Sequence, residues 1–288
     1  MSADSDDKYP GETGRRRFVK GVVGGASLAA LGTTGAVAIN STTTSAGPGG
    51  GATQYFGVEN VGGPAPRAMP QIPVEIDDDG ALKGVYPTVE ERTNEQGETV
   101  QIAEMELGGI TYSARWFQYC GIQSLPGVQP STESENYFLS SSSSQYEWQQ
   151  DVPADEPLNI SMFEDYKQWN NDIGQKTNGK PAMATWRSEG VGSGQQLVIQ
   201  VLRSEKVKQL AQGDSEHSQW LSASTEEGFI AWLNKCTHFC CVPGFKVSGQ
   251  ASKFGGANEI YCPCHQSIYD PNSIVQRTFT ALPRPEES

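Results

Sequence analysis

Two short stretches near the C-terminus carry the residues that could do chemistry. The first is Cys236-Thr237-His238-Phe239-Cys240-Cys241; twenty residues later comes Cys262-Pro263-Cys264-His265-Gln266-Ser267. Together they hold five of the six cysteines and two of the three histidines. Thiolate and imidazole are ligands for zinc, copper and iron, and each stretch pairs one of each at close spacing, CxH and then CxxH. Two tight loops would thus present two sulfurs and two nitrogens to metal. Such a set suits a single tetrahedral zinc, or a [2Fe–2S] cluster with cysteine on one iron and histidine on the other. Zinc fingers usually space their ligands as CxxC and HxxxH, whereas here each stretch mixes the two types and carries a further cysteine that neither ligand set needs.

The pattern CTHxxC followed by CPCHxS resembles the Rieske iron–sulfur proteins, of the disulfide-containing kind found in quinol-oxidising cytochrome bc complexes. The resemblance implies that Cys236 and Cys262 bind one iron and His238 and His265 the other. It also implies a disulfide from Cys241 to Cys264, which demands an oxidising compartment. Ser267 and Tyr269 match positions whose hydroxyls hydrogen-bond cluster sulfurs and raise the reduction potential. Val242-Pro243-Gly244 continues the first loop, and Leu282-Pro283-Arg284-Pro285 is similar to the family's third, proline-rich loop. Two positions depart from the pattern: Cys240 and Gln266 stand where the family usually has glycine. The first departure leaves either Cys240 or Cys241 to pair with Cys264, Cys241 being the match by spacing. Cys120 then either pairs with Cys240 or is a buried free thiol.

Histidine ligation carries a functional implication, because an imidazole bound through one nitrogen keeps a proton on the other that can leave as the centre is oxidised. The resemblance therefore implies an electron-transfer subunit of a quinol:cytochrome c, or copper protein, oxidoreductase. His265 would meet the quinol, with His238 beside it. Its partners would be a cytochrome b subunit that completes the quinol pocket, and a c-type cytochrome or copper protein as acceptor. Little activity is expected of the chain alone. The alternative is the small Rieske subunit of an arsenite-oxidase-like molybdenum enzyme; a structural zinc domain is the alternative from another class.

The implied fold is all-β: a Rieske-like antiparallel sandwich with a small cluster-binding subdomain, preceded by one N-terminal transmembrane helix. Residues 1–20 end in Gly14-Arg15-Arg16-Arg17-Phe18-Val19-Lys20, close to a twin-arginine export motif. The uncharged run 21–39 is nearly the ~20 residues needed to span a bilayer. Ala36-Val37-Ala38 is a possible cleavage site, but the family usually retains this segment, so a single-pass anchor is expected, with the C-terminal domain on the outer face of the cell membrane. Residues 40–53, rich in Ser, Thr and Gly, read as a flexible linker or hinge.

Beyond the linker, 54–177 reads as an extended segment and an unrecognised lobe, and 178–288 as the Rieske domain. Asp77-Asp78-Asp79-Gly80 marks a solvated turn, with calcium binding a weaker reading, and 99–107 alternates like a half-buried strand. Ser140 to Ser144 reads as an exposed loop, and Ser161-Met162-Phe163-Glu164 as a capping box opening a helix through Trp169. Strands are expected at 183–187, 197–202 and 228–233, a short helix from Ser204, and a solvated His217. The net charge of −13 excludes a phosphate-binding surface of the usual basic kind, hence no nucleic-acid partner.

Overall fold

The structure, a computed structural model, describes residues 51–282 apart from 94–96, 98, 117, 177 and 214–216. The twin-arginine motif, the apolar run 21–39, most of the linker and Pro283-Arg284-Pro285 lie outside the described residues. Among those described, no helix is long and apolar enough to cross a membrane.

The fold is mostly β and its ladders are antiparallel. Fourteen strands run β1 (Gly51–Gly62), β2 (Met69–Ile72), β3 (Val74–Ile76), β4 (Leu82–Gly84), β5 (Val89–Thr93), β6 (Thr99–Leu107), β7 (Ile110–Ser113), β8 (Phe138–Ser140), β9 (Lys180–Trp186), β10 (Leu197–Arg203), β11 (Phe229–Leu233), β12 (Gly244–Phe245), β13 (Ile260–Cys262) and β14 (Ser267–Ala281). Nine of them join in the order β12-β13-β14-β1-β2-β11-β10-β9-β8, beside a two-stranded sheet, β3-β4, and a three-stranded one, β5-β6-β7. Residues 54–177 and 178–288 are not separate in space, because β1, β2 and β8 complete the sheet built by β9 to β14. The described residues all belong to one compact unit. Gly51 to Thr53, read as linker from composition, pair with Ala281, Thr280 and Phe279.

Apolar sequence explains the middle of the sheet. Every residue of β9 and β11 is buried, as expected of short apolar strands covered on both faces. Phe56 stacks on Trp220, and Trp116 meets Trp186 edge-on. Two short helices, α1 (Glu205–Gln212) and α2 (Ser218–Ser224), cover one part of this core. The Ser204 side chain caps α1 by accepting from Lys206 N.

Three local expectations change. The capping box at 161–164 yields one 3-10 turn, Ile160–Phe163, because the cap is Asn159; Ser161 spends its hydroxyl on Asn159 Oδ1 rather than on a helical amide. Ser140 is buried at the end of β8 and accepts from Gln149 Nε2. His217 is half-buried and meets Phe56 edge-on, ring centroids 5.2 Å apart. The turn at Asp77 forms as read, with Asp77 Oδ1 accepting from Asp79 N and Ala81 N. Its Oδ2 is taken by Tyr137 and Lys83.

Candidate metal centre

β11 delivers the first loop. Where the strand ends, Asn234 is fully buried; its backbone N donates to Val198 O and its Nδ2 to Pro243 O, both at 2.9 Å, so one residue pins the start and the end of the loop. Within it Cys236 N donates to Cys241 O and Cys240 N to Cys236 O. The second loop is the hairpin between β13 and β14, in which Cys262 and Ser267 face each other in register. Cys240 and Gln266, the two departures from glycine, have φ of 67° and 59°. The backbone thus keeps the left-handed turns that glycine makes easily, and both side chains accept that conformation at some cost.

The two loops bring the predicted ligands close to one another. Cys236 and Cys262 are the free cysteines among the described residues, both buried. Their thiols are in hydrogen-bond contact, which pushes Cys236 down to about 5 and holds Cys262 well above its usual range. The His238 and His265 rings meet edge-on, centroids 4.8 Å apart, with His265 exposed and His238 half-buried. Cys241 bonds to Cys264, joining the two loops, and Cys240 bonds to Cys120. The question of which neighbour pairs with Cys264 is thus resolved for Cys241, and Cys120 is not a free thiol.

Ser267 and Tyr269 lie behind the sulfurs. Tyr269 Oη accepts from Thr237 N at 3.0 Å and lies 3.4 Å from Cys236 Sγ. Thr237 Oγ1 donates to Arg67 O, leaving the tyrosine proton for Cys236 Sγ or for Thr237 Oγ1 itself. Burial raises the Tyr269 pKa further, so the hydroxyl stays a donor. Ser267 Oγ is buried with no hydrogen-bond partner in good geometry, yet it is close enough to help hold the Cys236 thiolate. His238 Nδ1 is likewise buried without a partner.

These orphaned atoms test the donor set against metal. Metal on His238 Nδ1 and a sulfur acceptor for Ser267 Oγ would satisfy both, which a purely structural loop leaves unexplained. A tetrahedral zinc would need its ligand atoms roughly 3–4 Å apart. The one set of three Cys, His or acidic residues among the described residues with all ligand atoms within 4.8 Å of one another is Cys241, Cys262 and Cys264, and two of those are spent in the disulfide. Among the described residues, no three of Cys236, His238, Cys262 and His265 bring their ligand atoms that close together.

Sequence reasoning missed the supports. Asn234 and Thr237 carry no motif of their own, and the role of Tyr119, whose Oη donates to Lys235 O at 2.9 Å, comes from a region with no recognisable pattern. Cysteine arithmetic gave one usable signal: six cysteines less two ligands leave an even four. No protein-family model, curated protein or solved structure matches the chain.

Proposed function

We propose that this chain is the Rieske-type electron-transfer subunit of a quinol-oxidising cytochrome bc complex. Cys236 and Cys262 would hold one iron of a [2Fe–2S] cluster, and His238 and His265 the other. The observation that carries the reading is the juxtaposition of two buried free thiols with two imidazoles, one exposed and one with a buried, unpartnered Nδ1. A cluster bound there would supply one-electron chemistry at a potential within about −150 to +300 mV.

The chain's own residues do the rest. His265, exposed at the tip, can accept a hydrogen bond from a hydroxylated substrate. Tyr269 and Ser267 place hydroxyls next to Cys236, where they favour added negative charge and raise the potential. The disulfide of Cys241 with Cys264 holds the loops together. Around the imidazoles the surface is apolar: Phe239 is 65% exposed, its ring 5.2 Å from that of His265, and Val242 is 47% exposed. Such a tip suits docking onto a cytochrome b subunit that completes the quinol pocket. The uncharged run 21–39 supports a membrane-anchored role.

The test is low-temperature EPR of the reduced membrane fraction, with and without a quinol-site inhibitor. A Rieske-type signal that shifts with inhibitor is expected. A signal indifferent to the inhibitor would transfer the chain to the molybdenum-enzyme alternative, and zinc without a signal would refute both.

A further inference from the structure

Just past β7 two consecutive residues carry buried donors, and neither donor has a partner. Arg115 Nε and Trp116 Nε1 are both shut off from solvent with no hydrogen-bond acceptor. Trp116 is only 7% exposed, so its indole N–H cannot turn to bulk water. Leaving one such donor unpaired is costly, and two neighbours so placed call for a shared acceptor.

Both residues line one small cavity. Its volume is about 10 Å³, room for a single water-sized particle. Five aromatic side chains besides Trp116 wall it, drawn from β1, β7, α2 and β14. Among the described residues on that wall Arg115 is the one that carries a charge, and none of the four predicted metal ligands is there. The polar side chains around it are already engaged. Gln71 Oε1 accepts from the Trp220 indole N–H, and Gln54 Oε1 from the Gln276 amide. Ser113 Oγ accepts from Arg115 N and donates to Glu104. Glu104 is itself shared between Arg115 Nη2 and Arg92 Nη1, so Arg115 has no carboxylate of its own.

These features decide the kind of ligand. A water held by two donors would still have two hydrogens to place, and the side-chain acceptors named above are taken. Phosphate or a carboxylate is too large for the volume, and a metal cation would face a guanidinium. A monatomic anion accepts from both donors, needs no acceptor in return and meets the guanidinium charge. We propose that the cavity is a halide site, with chloride as its ordinary occupant, held by Arg115 Nε–H and Trp116 Nε1–H. The ion satisfies both donors at the start of the segment that runs on to Tyr119 and Cys120. Chloride thereby stabilises the fold by binding and not merely by screening.

The experiment has two arms, both on the full-length protein. Crystals soaked in sodium bromide should show an anomalous bromide peak within hydrogen-bond reach of both donors. Thermal unfolding at constant sodium concentration should give a higher midpoint in chloride than in acetate, whose carboxylate the cavity cannot hold. Trp116→Phe keeps an aromatic ring and deletes the donor. It should raise the chloride concentration needed for half of that shift about tenfold, the effect of losing one hydrogen bond to a charged group. Cooperative unfolding of the variant in acetate shows that it is folded; if it does not fold, the bromide map of the parent decides. An ordered water only at this position, equal midpoints in the two salts, or an undiminished chloride response in folded Trp116→Phe would overturn the site.

Discussion

Cys240 and Cys241 are neighbours, but their disulfides go to different places. Cys241 reaches Cys264, 23 residues on, and ties one ligand loop to the other. Cys240 reaches back 120 residues to Cys120 and ties the first loop to a segment that carries no ligand. That segment is fastened twice more, since Tyr119 Oη donates to Lys235 O and the Gln118 amide exchanges two hydrogen bonds with the backbone of Leu282 at the end of β14. One bridge shapes the candidate site; the other couples it to the remainder of the fold. A disulfide that closes a longer loop restricts the unfolded chain more, so the bridge farther from the metal should contribute more stability and the nearer one more metal retention.

Breaking the long bridge should have the largest effect on folding. Taken singly, loop closure assigns about 4.9 kcal/mol to the Cys120–Cys240 bridge and about 3.4 kcal/mol to Cys241–Cys264. Urea unfolding of the Cys120→Ser chain stripped of metal should show the greater loss, while the same variant as purified should hold iron near the parent's level. Cys264→Ser should lose less stability and most of its iron. If the two variants lose iron equally, the division of labour between the bridges is wrong.

Smaller effects sharpen the same contrast. Tyr269→Phe leaves Thr237 N without its acceptor, a loss of about 1–3 kcal/mol. It should also lower the reduction potential with the cluster still assembled; an unchanged potential would mean that the hydroxyl does not reach the cluster. Gln118→Ala frees the Leu282 backbone from the segment around Cys120 at a cost of about 1 kcal/mol, read as a shifted urea midpoint with no change in potential. The weakest effect is on pH dependence. Glu259 has a folded pKa of about 8, above the usual carboxylate value, so the folded state holds its proton more tightly. Its contribution to stability is complete at low pH and is lost as pH rises toward 8. Glu259→Gln should flatten that slope, as seen in urea midpoints between pH 5 and 8.

The candidate ligands stood out in the sequence because they are residue types that are rare elsewhere in the chain and packed into twelve positions. The strands at 99–107, 183–186 and 197–202 were legible through alternation or apolar runs, and Ser204 through its capping side chain. The supports were not. Arg187, just past β9, is buried and donates to Gly127 O, Asn136 Oδ1 and Thr132 O while lying 3.6 Å from the Tyr86 ring; it organises the segment 127–136 through contacts that no local pattern encodes. The bulge in β14, where Glu59 pairs with Asp270 and Val58 with Ile274, depends on Pro271 and on Asn272 N donating to Asp270 Oδ1. Proline withholds a ladder amide there, so the break is rational once the pairing is known. The helix expected at 161–169 failed because Asn159 competed for the serine hydroxyl, a choice between neighbours of similar capping strength.

The most direct test of the four-ligand assignment is electron–nuclear double resonance on the reduced protein with ¹⁵N-labelled histidine. The account predicts two strongly coupled imidazole nitrogens on a [2Fe–2S] centre, with both couplings lost along with the centre in Cys236→Ser and His265→Ala. A centre without coupled histidine nitrogen, or a chain purified with one zinc and no paramagnetic signal on reduction, would contradict it.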